Sequence, residues 1–119
     1  MKDERITYET AKLAKDKGFS VSTGDTYEQV YDSSSGKLAR ASHLNYHSIV
    51  LAPTQSLLQR WLREECNIQV YVYSSTANMN GKPVDWIYEG SVRLDRRDGL
   101  DSYEEALEKG LQEALKLIE

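Results

Sequence analysis

The sequence predicts a single-domain α+β fold, with an antiparallel sheet and three helices. Three observations carry this. Apolar residues recur at helical spacing in three separate stretches. Two runs in the middle of the chain alternate apolar and polar residues around the turn pair Asn80-Gly81. The length of 119 residues is that of one ordinary domain, and no repeat or linker divides it. An antiparallel sheet with its helices on one face suits that order of elements.

The first helix is expected over 8–17. The hydroxyl of Thr7 can accept a free backbone N–H at its start, and Gly18 followed by Phe19 makes a good stop. Its apolar face (Tyr8, Ala11, Ala14) is thin. Residues 20–50 are the least regular part of the chain, where insertions are tolerated and flexibility is expected. They hold two strand candidates, "TYEQVYD" (26–32) and "NYHSIVL" (45–51, ended by Pro53). The segment "SSSGK" (33–37) reads as a turn, and Gly24-Asp25 as another.

The second helix spans 55–65 behind the cap Thr54. Leu57, Leu58, Trp61 and Leu62 fall within an arc of roughly 140°, so Trp61 is expected to pack into or beside the core. Arg60, Arg63 and Glu64 point away from that arc. Glu65 projects into it, so either the helix frays before Glu65 or Glu65 lies at the edge of a pocket, fraying being the better reading, with Asn67 as the left-handed stop.

A hairpin of 68–75 with 84–95 follows. Ile68, Val70 and Val72 share one face, and Gln69, Tyr71 and Tyr73 the other. On the second strand Val84, Trp86, Tyr88, Val92 and Leu94 oppose Asp85, Ile87, Glu89 and Arg93. The valine and tryptophan sides are expected to turn inward, leaving a tyrosine side. The third helix, 103–118, opens on a capping box of Ser102 and Glu105. Its apolar face includes a stripe of small residues, Ala106, Gly110 and Ala114. Gly110 costs about 1 kcal/mol against alanine in a helix, which close approach of another backbone would offset.

Composition bounds the function. Hydrophobic residues at 39% and charged residues at 29% argue for a folded domain, and a net charge of −4 counts against a general duplex-DNA binder. The lone Cys66 cannot form an internal disulfide, and the charged N-terminus carries no apolar run. A cytoplasmic protein with no membrane segment is therefore expected.

The candidate chemistry is sparse. His43 and His47 have H-x-x-x-H spacing, but on a strand-like segment they would stand about 13 Å apart, too far to share a metal. Ordinary polar surface is the better reading. Cys66 lies at a helix C-terminus, where the dipole disfavours a thiolate, so it reads as a structural thiol. The carboxylates Glu104, Glu105, Glu108 and Glu113 read as the solvated face of the third helix. None of the seven glycines forms a phosphate loop. No cofactor, metal site or catalytic set is expected.

The remaining signal is aromatic and basic. Tyr71 and Tyr73 should project from the sheet beside Arg93. Arg60 and Arg63 stand on the outer side of the second helix as rim contacts, and Arg96-Arg97 in a loop after the hairpin. Such a surface could anchor a protein partner, or stack the bases of a single-stranded nucleic acid or a nucleotide. Equally, the tyrosines could be strand formers roofed by other chain.

Three blocks together, "ETAKLAKDKGF" (9–19), "APTQSLLQRWLREECNIQVYV" (52–72) and "YEEALEKGLQEALKLIE" (103–119), resemble a group of small uncharacterised proteins from gut bacteria of the Bacteroides type and their phages and prophages. The resemblance implies a mobile-element origin. It carries no activity, cofactor or site residue. The expectation is a non-enzymatic binding module of a phage or mobile element, acting on a host or phage protein. A single-stranded nucleic-acid or nucleotide binder on the Tyr71/Tyr73 face is the alternative.

Overall fold

The computed structural model describes residues 4–21, 28–74, 85–90, 94 and 96–118. Its elements are α1 (Tyr8–Asp16), β1 (Gln29–Asp32), β2 (Leu38–Arg40), β3 (Ile49–Leu51), α2 (Gln55–Glu65), β4 (Val70–Ser74), β5 (Trp86–Gly90), β6 (Arg97–Leu100) and α3 (Tyr103–Lys116). The fold is α+β, as expected. The strands, however, form two antiparallel three-stranded sheets, ordered β2-β1-β3 and β4-β5-β6.

Each helix begins where its cap predicts. Thr7, Thr54 and Ser102 accept backbone N–H groups of the first turn through their hydroxyls. At the end of α1, Gly18 takes φ +95° and the Phe19 N–H bonds the Ala14 carbonyl, burying the Phe19 ring. Asn67 adopts φ +56° after α2, the left-handed stop that asparagine tolerates. Glu65 does not fray. It closes α2 as an exposed residue, so the helix carries a charged side chain past the end of its packed face.

The first sheet sits behind α1. The turn over residues 33–37 forms as expected, with Gly36 at φ +72° and Asp32 accepting the N–H and hydroxyl of Ser34. Those bonds, the backbone one first, hold the Asp32 carboxyl below the usual aspartate range. The segment 45–51 is strand only from Ile49, because residues 46–48 form a 3₁₀ turn.

α3 is the hub of the fold, packing on β4, β5, α1 and α2. Gly110 permits this. A Cβ there would lie 2.9 Å from Val70 Cγ1 and 3.2 Å from Tyr88, so helix and sheet meet closer than a side chain would allow without a shift of these neighbours. Val70 and Tyr88 are buried beneath α3, with Leu111 and Leu115 beside them in one core. Trp61 packs half-buried on that core with its ring edge-on to Phe19, the centroids 5.2 Å apart.

Glu108 departs from the solvated face expected of it. Its Oε2 accepts the backbone N–H and hydroxyl of Thr7, each at 3.0 Å, and the Thr10 hydroxyl; its Oε1 accepts Gln55 Nε2 at 3.0 Å. Gln55 Nε2 also donates to the Glu104 carbonyl at 2.9 Å, and Gln112 donates to Thr10 at 2.9 Å. Thr10 and Gln55 are buried, at 0% and 3% exposure. One carboxylate thus ties the starts of α1 and α2 to the middle of α3. A charge at the N-terminus of α1 is also favourable to that helix's dipole.

Candidate functional site

α3 covers one face of the β4-β5-β6 sheet, which fixes what the other face presents. β4 pairs with β5 so that Tyr71 lies opposite Glu89 and Tyr73 opposite Ile87. These residues alternate with Val70, Val72 and Tyr88, whose side chains pack toward α3, and therefore project outward. Tyr71 is 51% exposed and Tyr73 39%, the two most exposed aromatic residues among those described. Ile87 lies between polar neighbours on the same side yet is 3% exposed, so both faces of β5 bury side chains.

Hydrogen bonds fix the two rings. The Tyr71 hydroxyl donates to Gln69 Oε1. The Tyr73 hydroxyl donates to Glu89 Oε2 at 2.6 Å, and Arg96 hydrogen-bonds the same phenol. The bond to Glu89 pushes the Tyr73 phenol above its ordinary range, since losing the proton would set two anions together; Arg96 offsets part of this. The result is a small surface of two held rings, one carboxylate and one guanidinium. Groups already fixed lose little entropy when a partner docks.

The structure separates the residues expected here. Tyr71 and Tyr73 share the open face. Arg93 falls outside the described residues, as do Asn80-Gly81, Val84 and Val92. Arg60 and Arg63 are exposed on α2, and Arg60 is taken up in an ion pair with Glu64 at 3.2 Å. Arg96 instead supplies the cation at Tyr73. Arg97, expected in a loop with Arg96, begins β6 and lies opposite Tyr88. A bulge in β6 accounts for this. Leu100 pairs with Trp86 and Arg97 with Tyr88, which leaves one extra residue on β6. Gly99 at φ +80° absorbs it, its N–H bonded to Asp85 Oδ2 at 2.9 Å.

The other candidates do not converge. His43 and His47 sit in two separate 3₁₀ turns and are both exposed. Cys66 is half-buried, and burial, then Glu65, pushes its thiol pKa up, away from the reactive thiolate. Among the described residues no group of three histidine, cysteine, aspartate or glutamate side chains could hold a metal. A cavity of about 680 Å³ lies between α1 and the first sheet, its walls including Ala11, Phe19 and Val30 with Lys15, Glu28 and His47. The Lys15 ammonium in it donates to the Ile49 carbonyl at 3.2 Å. Among the described residues no helix is long and apolar enough to cross a membrane.

No protein-family model, curated protein or solved structure matches this chain.

Proposed function

We propose that this chain is a non-enzymatic binding module that docks a protein partner on the outer face of β4 and β5. The observation that supports this is the pair of exposed rings, Tyr71 and Tyr73, held in place beside Glu89 and Arg96. Tyrosine and arginine are the residue types that most often anchor protein interfaces, and two prefixed rings offer contact area at low entropic cost. Glu89 in the middle of the face, on a chain of net charge −4, sets a carboxylate where a phosphate backbone would run. That ranks a protein above a nucleic acid. The resemblance to phage and prophage proteins supplies the setting, with a host or phage protein as the partner.

The test is capture from bacterial lysate by the tagged wild type and by a Tyr71→Ser/Tyr73→Ser double variant of unchanged melting temperature. A partner held by the wild type and lost by the double variant is expected. A partner held equally by both, or none held by either, contradicts the reading. Arg96 beside Tyr73 favours a second reading on the same face, in which the rings stack the bases of a single strand or a nucleotide. It predicts oligonucleotide affinity that falls steeply with salt, and absence of binding at low salt rejects it.

A further inference from the structure

The free edge of β4 carries an inference that does not depend on what docks on the tyrosine face. Among the described residues β4 is a terminal strand of its sheet, with β5 on one side only. Gln59 Nε2, from α2, donates to the Val70 carbonyl at 2.7 Å, while the Gln69 carbonyl faces Gly90 on β5. Main-chain groups alternate in direction along an antiparallel strand, so Val70, Val72 and Ser74 aim their N–H and C=O groups away from β5. Gln59 occupies one of these groups, at the Val70 end.

Sheet edges are ordinarily blunted by lysine, proline or an inward charge. This edge, "VYVYS", has none of them. In a chain that is 29% charged, residues 66–81 contain no charged side chain at all. Two copies of net charge −4 repel one another, and an uncharged edge is where they approach at least electrostatic cost. Valine and tyrosine, moreover, are strong strand formers.

We infer that the β4 edge is a self-association surface, pairing antiparallel with β4 of a second copy about a two-fold axis. One register satisfies the outward groups without disturbing the Gln59 contact. Val72 pairs with Ser74 of the second copy, and Ser74 with its Val72. The axis then passes between the two Tyr73 residues, which face each other as a non-hydrogen-bonded pair with Cα atoms about 4.5 Å apart. The Tyr73 ring leans over its own sheet to reach Glu89 on β5, away from the β4 edge. The product is a continuous six-stranded sheet carrying both tyrosine faces.

The test is sedimentation of the wild type and of Ser74→Pro from about 10 µM to about 1 mM, the range in which weak dimers form. Proline at Ser74 removes an outward N–H and no bond to β5, a substitution that edge strands tolerate. The wild type is expected to move with concentration from 13.6 kDa toward twice that mass, and folded Ser74→Pro to remain monomeric. As a second readout, Tyr73→Cys in a Cys66→Ser background, treated with oxidised glutathione as the two-electron acceptor, should form an intermolecular disulfide, because the paired Cα atoms lie within bridging range. A wild type that stays monomeric throughout, or a dimer unchanged by Ser74→Pro, overturns the inference. Were Ser74→Pro to lose its fold, the Tyr73→Cys crosslink decides alone: its formation supports the pairing, and its absence overturns it.

Discussion

Glu108→Gln is the substitution that most sharply probes how the helices are joined. It keeps the volume of the side chain and removes its charge. Both carboxylate oxygens face donors. Oε2 meets the backbone N–H of Thr7 and two hydroxyls, and Oε1 meets Gln55 Nε2. An amide has one oxygen and one NH₂, so in either orientation a donor faces a donor. Turning Gln55 to present its oxygen would set that oxygen against the Glu104 carbonyl, which its nitrogen now contacts at 2.9 Å. A buried group left unpaired in this way costs about 1–3 kcal/mol. For a domain of this size that is a fall in melting temperature of about 4–12 °C. Urea unfolding with an unchanged m-value, and a matching thermal melt, would report it. A Glu108→Gln protein within about 0.5 kcal/mol of the wild type, the range of an ordinary surface change, would refute the reasoning.

Three further outcomes follow from the packing and charges. Trp61→Ala removes a half-buried ring from the core beside Phe19 and should cost about 2–4 kcal/mol by denaturant unfolding; a variant that melts like the parent contradicts that placement. Gly110→Ala should gain about 1 kcal/mol of helix propensity and lose about 1–3 to overpacking against Val70 and Tyr88, for a net effect between neutral and a loss of about 2 kcal/mol; a stabilised variant would mean that α3 and the sheet lie further apart. Because the folded pKa of Asp32 is lowered, its carboxylate contributes stability above the unfolded value of about 3.9, and this is lost as pH falls through the folded value. The stability difference between wild type and Asp32→Asn should therefore be constant near neutrality and shrink below about pH 4, and a difference independent of pH down to full acid would contradict it.

What the sequence made legible is what local chemistry decides. Thr7, Thr54 and Ser102 mark helix starts because a cap acts on its own first turn. Asn67 and Gly18 mark stops because a left-handed residue is a local demand. The inward valines and outward tyrosines of β4 follow from alternation alone. β6 is hidden because its four residues, Arg97 to Leu100, show no apolar alternation, and Gly99 sits inside the strand and absorbs a bulge. β2, only three residues long with Leu38 exposed, shows no alternation to read. The bonds of buried Gln55 and half-buried Glu108 depend on partners about 50 and 100 residues away in the chain, and no window of sequence carries that. The same holds for Arg96, which reaches Tyr73 through the tertiary fold, and for the division of the strands between two sheets.

The tyrosine side of β4 is open to solvent. Nitration with tetranitromethane, with the modified residues located by mass spectrometry, tests this in the isolated protein. Tyr71 should react first, Tyr73 more slowly because its bond to Glu89 holds the phenol protonated, and Tyr88, buried under α3, only on unfolding. Protection of Tyr71 and Tyr73 to the same degree as Tyr88 would contradict the account.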